Sequence, residues 1–193
     1  MKFGYLEFKR VFDVILSGIL LALLSPLILI ITLIILIFDG FPIIYWSDRI
    51  GVKSGIFKMP KYRTMKRETP AVATNLLRNP DSYMANMGPI LRRTSLDELP
   101  QLWSIFIGDM SFVGPRPALF NQVELISARK RMGVDQLKPG LTGLAQVNGR
   151  DELTDDIKVQ FDAQYLKNIS FNLDLKIILM TFTQVILGKN VSH

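Results

Sequence analysis

A long uncharged segment near the start of the sequence constrains the fold more than any other feature. Residues 14–38 form a run of 25 residues without a charged side chain. The hydrocarbon core of a bilayer is roughly 30 Å thick and takes about 20 helical residues to cross, so this segment is long enough to enter a membrane. It is longer than the apolar core of a cleavable signal peptide, which has about 7–15 residues. We therefore expect a membrane helix here.

The path of this helix through the membrane has two interpretations. Ser25 and Pro26 lie near its middle, and a bend is expected there because Pro26 cannot donate a hydrogen bond to the carbonyl of Ala22. Short basic flanks favour the cytoplasm, and both flanks are basic. The flanking residues are Lys2, Lys9 and Arg10 before the segment and Arg49, Lys53, Lys58, Lys61, Arg63, Lys66 and Arg67 after it. A bent, re-entrant helix would keep both flanks on one side, whereas a proline-kinked spanning helix is the alternative.

The composition excludes several kinds of catalysis. The 193 residues suffice for one domain and include no cysteine, and the single histidine is His193. A cysteine nucleophile, a disulfide framework, a Cys/His zinc site and a Ser-His-Asp triad are therefore not expected. The formal net charge is +6, from 23 Lys and Arg against 17 Asp and Glu. Much of this excess flanks the membrane segment, so we expect no nucleic-acid partner.

After Gly40 the sequence has the composition of a globular domain. Short β-type runs at 43–46 and 56–58 around two glycines predict a hairpin. Helices are predicted over 99–107, 118–132 and 173–187; the last is too short to span a membrane and either packs in the core or lies along a membrane surface. We predict an α+β, mostly helical fold, with a membrane segment at 1–40 and one globular domain at 41–193 packed against it.

Two adjacent acids, Asp97 and Glu98, are the first candidates for chemistry. Ser95 with Glu98 three residues later predicts a helix capping box, although a helix starting at Pro100 fits equally well. At a positive helix end with arginines nearby, both carboxyls are expected to have lowered pKa values. An ionised aspartate can attack phosphorus, and a neighbouring glutamate can hold Mg²⁺. A helix cap without a catalytic role is the alternative.

Two later segments contain groups that suit a phosphate or nucleotide ligand. Arg116 stands between two prolines, whose fixed φ angles would hold its planar guanidinium rigidly toward a phosphate. A proline-rich corner with a solvated arginine is the alternative. Residues 138–150 contain three glycines together with Gln146, Asn148 and Arg150, which could bind the polar edges of a ligand. A loop with a purely structural role is equally compatible with this pattern.

The order of these motifs resembles the bacterial sugar transferase family, small monotopic phosphoglycosyl transferases that start membrane glycan assembly. The resemblance runs from about residue 8 to residue 187. It rests on Ser25-Pro26, Lys61-Tyr62-Arg63-Thr64-Met65, Ser95 to Leu102, Gly108-Asp109-Met110-Ser111, Gly114-Pro115-Arg116-Pro117 and Lys138-Pro139-Gly140 through to Arg150. Members move a sugar 1-phosphate from a UDP-sugar to undecaprenyl phosphate and release UMP, and their membrane helix is re-entrant. The resemblance thus implies a monotopic protein of the bacterial inner membrane, with both termini and the catalytic domain on the cytoplasmic side.

The resemblance also implies roles for individual residues. Asp97 would be the nucleophile that forms a phosphosugar-aspartyl intermediate, and Glu98 together with Asp97 would position Mg²⁺. Lys61 and Arg63 would lie near the lipid phosphate or the active-site face, although charge at a membrane surface also explains them. The residues that would bind substrate are Lys61, Arg63, Arg116, Gln146, Asn148 and Arg150. Pro60 departs from the family pattern, which often has an aromatic residue at this position. Because proline lacks an N–H, the expected strand pairing around Pro60 is in doubt.

Several alternatives stay open at this point. Direct one-step transfer would leave Asp97 as a metal ligand only. A membrane-anchored, non-catalytic scaffold of a glycan assembly complex would use the same motifs as caps and corners. The sequence does not name the sugar, for which an N-acetylated hexosamine is our starting hypothesis, and it leaves the oligomeric state open, with a homodimer among the alternatives.

Overall fold

The computed structural model describes residues 2–70, 77–149 and 152–187. These residues form six α-helices and four short strands, which confirms the predicted α+β, mostly helical fold. The helices are α1 (Lys2–Phe38), α2 (Gly88–Arg93), α3 (Gln101–Ile107), α4 (Val123–Arg131), α5 (Asp155–Asn168) and α6 (Phe171–Leu187). The strands are β1 (Ile44–Ile50), β2 (Ile56–Tyr62), β3 (Ser111–Val113) and β4 (Gly140–Thr142).

Helix α1 is bent at the predicted position. Its arms, Gly4–Leu23 and Ser25–Phe38, meet at 61°. Pro26 cannot donate to the carbonyl of Ala22, and the hydroxyl of Ser25 donates to that oxygen instead, at 2.8 Å. Within the described ranges, the length and composition needed to cross a bilayer are met only by these two arms taken together, and by no unbent helix.

The predicted β-hairpin is confirmed. Strands β1 and β2 pair antiparallel with Tyr45 opposite Lys61, and the pairing continues through Pro60, which a two-stranded ribbon tolerates because each strand has a free edge. The left-handed residues of the turn are Lys53 and Ser54, with φ of 53° and 60°. The two flanking glycines have negative φ angles of −105° and −66°.

The predicted capping box is wrong. Ser95 is itself left-handed, with φ of 56°, and its side chain makes no capping hydrogen bond. Asp97 and Glu98 therefore lie in a separate 3₁₀ turn, and α3 begins after Pro100, close to the alternative start. Helix α4 is also shorter than predicted at its N-terminal side, because the carbonyl of Ala118 accepts a hydrogen bond from the end of β1.

The glycine-containing segment at 138–150 includes strand β4, which runs parallel to β3. The amide of Gly114 donates to the carbonyl of Thr142 at 2.9 Å, and the amide of Gly140 donates to the carbonyl of Pro115 at 2.8 Å. A Cβ atom at position 114 would lie 2.3 Å from the carbonyl oxygen of Lys138, so only glycine permits this approach. The corner that contains Arg116 is thus hydrogen-bonded directly to the segment at 138–150.

Helix α1 packs on the same core as the rest of the chain. Ile31 and Ile35 of its second arm are buried against Tyr62 and Leu91. Leucines of its first arm contact the main cluster, which includes the fully buried Ile105 of α3 and Ile177 of α6. Helix α6 therefore contributes to the core on one face, while Leu179 and Phe182 on another face are exposed.

Candidate active site

Asp97 lies in the 3₁₀ turn between α2 and α3 and is only 7% exposed. Burial raises the pKa of its carboxyl above the ordinary value, since removing the anion from water is costly. The positive charges of Lys61, Arg92 and Arg116 oppose this rise, whereas the adjacent Glu98 adds to it. The predicted lowering of the Asp97 pKa is therefore wrong, because loss of hydration outweighs the nearby cations.

Glu98 connects two distant parts of the sequence. Its Oε1 atom lies 3.4 Å from Nζ of Lys61 and 3.4 Å from Nη2 of Arg116. Lys61 comes from strand β2, whereas Arg116 follows β3, so the structure brings together three of the residues predicted from the sequence. Burial lowers the pKa of Lys61, and the negative charge of Glu98 opposes that shift.

The backbone of Arg116 is held by a buried ion pair. Nη1 of Arg129 donates to the carbonyl of Arg116 at 2.7 Å. The same arginine pairs with Asp162 of α5, at 2.8 Å between Nη2 and Oδ2. The corner is thus fixed both by its two prolines and by an arginine from α4, and the Arg116 side chain contacts Glu98.

Arg63 does not join Lys61 and Arg116 at Glu98 but lies beside the end of α1. Its buried guanidinium donates to the carbonyls of Asp39 and Gly40 at 2.5 and 2.8 Å, and to that of Phe41 at 3.3 Å. These oxygens follow the last turn of α1, so Arg63 secures the end of that helix against strand β2. A substrate contact for Arg63 stays a prediction.

Gln146 and Asn148 both donate to carbonyls within the segment at 138–150. Nε2 of Gln146 lies 3.4 Å from the carbonyl of Leu141, and its buried Oε1 has no protein partner in the described ranges. Nδ2 of Asn148 donates to the carbonyl of Leu144 at 2.7 Å. Arg150 lies outside the described residues. Substrate contacts for all three stay predictions.

Comparison with known proteins places this site in a family. The sequence matches the profile described as bacterial sugar transferase over residues 4–188. The chain belongs to the bacterial sugar transferase family. This confirms the resemblance and makes the protein a transferase.

The transferase is similar to proteins from several bacteria. It is 38% identical to the exopolysaccharide production protein ExoY of Rhizobium meliloti, covering 94% of this chain and 86% of ExoY. It is 36% identical to the undecaprenyl-phosphate galactose phosphotransferase of Salmonella typhimurium, over 96% of this chain and 41% of that protein. It is also 36% identical to the UDP-glucose:undecaprenyl-phosphate glucose-1-phosphate transferase of Escherichia coli, over 90% of this chain and 39% of that protein.

Two arginines near the acidic pair of the transferase are not among the substrate-binding residues predicted from the sequence. Nε of Arg92 donates to the hydroxyl of Thr64 at 3.0 Å, and its pKa is lowered by burial while Asp97 opposes the shift. Nη1 of Arg49 donates to the carbonyl of Pro117 at 3.1 Å. In the sequence, Arg92 is one of the arginines close to the acidic pair, and Arg49 is one of the basic residues that flank the uncharged segment. The alternation of side chains in β1 was the one signal that could have placed Arg49 on the inner face of the hairpin.

The donor set of the transferase fits Mg²⁺ bound together with a substrate. Among the described residues, no group of three or more His, Cys, Asp or Glu side chains could hold a metal. Asp97 and Glu98 are adjacent carboxylates beside two cations. Mg²⁺ usually keeps several waters and takes one or two carboxylates plus substrate phosphates, rather than a cage made only of protein. The acidic pair meets that requirement.

Proposed function

We propose that this transferase moves a sugar 1-phosphate from a UDP-sugar to undecaprenyl phosphate and releases UMP. The observation that carries the proposal is the buried Asp97 next to Glu98, with Lys61 and Arg116 each 3.4 Å from Glu98. A carboxylate can act as a nucleophile, and lysine and arginine bind phosphate oxygens. The names of the relatives from S. typhimurium and E. coli describe transfer of a sugar phosphate to the same lipid.

Transfer proceeds in two steps through Asp97. An Oδ atom of Asp97 attacks the phosphorus that is attached to the sugar, and the bond from that phosphorus to the bridging oxygen breaks. UMP leaves with the electron pair, and a phosphosugar-aspartyl intermediate remains. An oxygen of undecaprenyl phosphate then attacks the same phosphorus, so the bond to Asp97 breaks and the carboxylate is regenerated. The water-soluble donor and the lipid acceptor thus react in turn at one site.

The charged neighbours of Asp97 support these steps. Lys61 and Arg116 bind phosphate oxygens and offset the charge that accumulates when an anionic carboxylate approaches a diphosphate. Glu98 and Asp97 would hold Mg²⁺, which neutralises negative charge on the diphosphate when it is bound. Burial of Asp97 excludes water from the nucleophile, while the cations around it favour the ionised form that the attack requires.

The shape of α1 supports a monotopic arrangement in the bacterial inner membrane. Its arms meet at 61°, and exposed apolar side chains near the bend and near its end include Leu23 and Ile37. We propose that α1 enters and leaves the cytoplasmic leaflet, which keeps both termini and the catalytic domain on the cytoplasmic side. Arg63 holds the end of α1 on the hairpin that carries Lys61, so the anchor and the site are joined.

Covalent labelling tests the proposal. The purified protein is incubated in detergent with Mg²⁺ and a UDP-sugar radiolabelled in the sugar, without lipid. We expect UMP release and a label on the peptide that contains Asp97, and no label in Asp97→Asn. The matched control is Asp48→Asn, which changes an exposed acid of the hairpin and should leave labelling unchanged.

The outcomes separate the alternatives. Near-normal turnover in Asp97→Asn would refute the assignment of the nucleophile. UMP release only when lipid phosphate is also present would indicate direct one-step transfer. A panel of UDP-glucose, UDP-galactose and UDP-N-acetylhexosamines identifies the sugar, and no UMP release with any of them would favour the scaffold.

A further inference from the structure

Strand β1 presents Arg49 on the same face as a predicted substrate ligand. Side chains alternate along a strand, so Tyr45, Ser47 and Arg49 share one face. Ser47 is buried, which shows that this face points into the protein. Tyr45 is directly opposite Lys61 in the antiparallel register, and directly paired residues share a face. Arg49 and Lys61 therefore lie on the one face of the hairpin that reaches Glu98.

The side chain of Arg49 is fixed in a direction that suits the site. Its Nε donates to Oγ of Ser47 at 3.0 Å, so the guanidinium turns back along β1 toward the end that carries Lys61. Nη1 donates to the carbonyl of Pro117 at 3.1 Å, which places the group beside the Arg116 corner. The amide of Ile50 donates to the carbonyl of residue 118 at 3.0 Å and holds the strand there.

The charge of Arg49 is only partly compensated within the protein. Its two hydrogen bonds in the described ranges go to neutral oxygens, and it forms no ion pair with a described carboxylate. Burial lowers the pKa of Arg49 to about 10, and the nearby Arg116 lowers it as well, while Tyr45 and Glu98 act in the opposite direction. A half-buried cation beside a second cation costs free energy that a bound anion would offset.

We propose that Arg49 is a further substrate-binding residue, which holds a phosphate group beside Arg116 through its Nη2 edge. Nη2 is the guanidinium nitrogen that makes no hydrogen bond in the described ranges. The inference rests on the proposed function, because a phosphoryl transfer supplies two sources of phosphate at this site. These sources are the nucleotide and the polyprenyl lipid, and the chemistry that Arg49 recognises is common to both.

A purely positioning role is the competing explanation, since Arg49 also supports the carbonyl of Pro117. Two variants separate the roles. Arg49→Gln keeps an N–H donor for that carbonyl but removes the charge, whereas Arg49→Lys keeps the charge. The matched control is Lys58→Gln, which removes a positive charge from the exposed side of the same hairpin. Thermal unfolding of each variant shows whether the fold is retained.

Calorimetric titration of the full chain in detergent with Mg²⁺ measures binding of UDP and, separately, of a short-chain polyprenyl monophosphate. Loss of a charge-assisted hydrogen bond should weaken binding about tenfold or more. We expect that loss for Arg49→Gln, a smaller loss for Arg49→Lys, and no change for Lys58→Gln. The ligand whose affinity falls identifies the source of the phosphate.

Three results would overturn the proposal. One is wild-type affinity of Arg49→Gln for both ligands, and another is affinity retained in Arg49→Gln but lost in Arg49→Lys. The third is a wild-type protein that binds neither ligand. Binding requires no turnover, so failure of the proposed function would appear separately, as UDP binding without covalent labelling at Asp97.

Discussion

A buried ion pair between α1 and α6 leads to a quantitative prediction of stability. Nζ of Lys9 lies 2.5 Å from Oδ2 of Asp174, and the two side chains are 10% and 7% exposed. The hydroxyl of Tyr5 donates to the same oxygen at 2.7 Å, and that of Tyr165 donates to Oδ1 at 2.6 Å. Lys9→Met would therefore leave the Asp174 carboxylate buried without its cation but with two hydroxyl donors.

The magnitude follows from this geometry. Removing one partner of a buried ion pair costs roughly 3–5 kcal/mol, because the remaining charge stays out of water. The two tyrosine hydroxyls continue to bond to Asp174, so we expect the lower end, about 3 kcal/mol. For a chain of this size each kcal/mol shifts Tm by about 2–4 °C. The expected fall for Lys9→Met is therefore about 6–12 °C.

Thermal unfolding in one fixed detergent, followed by circular dichroism, measures the shift. The control is Lys58→Met, which breaks the pair with Asp48, whose side chains are 70% and 46% exposed. An exposed pair is worth about 0–1 kcal/mol, so its Tm should change by at most about 4 °C. Adding Asp174→Asn to Lys9→Met removes the unpaired charge and should recover part of the loss. Equal shifts for Lys9→Met and Lys58→Met would refute the reasoning.

Three further predictions test the nucleophile, the bend and the end of α1. Asp97→Asn should abolish turnover but raise Tm. Because the pKa of Asp97 is raised in the folded protein, this carboxyl stabilises the fold below its ordinary pKa, and that stability is lost as pH rises through the folded pKa. The Tm difference should therefore widen above about pH 4, and a wild type that is the more stable protein at pH 8 would contradict this. Pro26→Ala restores the missing N–H and should straighten α1, so that the helix crosses the membrane. In that variant, an impermeant maleimide added to spheroplasts should label a cysteine introduced by Lys2→Cys but not one introduced by Lys53→Cys. The chain has no cysteine of its own, and labelling of Lys2→Cys without the proline change would argue against a re-entrant helix. Arg63→Met leaves the carbonyls just after α1 without their donor and should lower the free energy of unfolding by about 2–3 kcal/mol. Arg63→Lys should recover part of this loss, and an unchanged Tm in Arg63→Met would contradict the prediction.

Features that depend on neighbours along the chain were predictable from the sequence. The bend at Ser25-Pro26 follows from a covalent ring that removes one N–H, and the hairpin follows from β-type runs around a turn. The acidic pair of Asp97 and Glu98 is adjacent in sequence, so it needed no fold to be recognised. The capping box failed because Ser95 adopts a left-handed conformation that a four-residue pattern does not reveal.

Features that depend on packing were decided only by the tertiary structure. The sequence by itself determined the long uncharged segment with its proline bend, the lack of cysteine in the chain, and the adjacent carboxylate pair. It did not determine that Asp97 is buried deeply enough to raise its pKa, because desolvation depends on which elements surround the carboxyl. Nor did it determine that Arg63 binds the carbonyls that follow α1, while Arg49 contacts the Arg116 corner. An arginine side chain is long and equally charged in either place, so only the contacts made across the fold show which groups it binds.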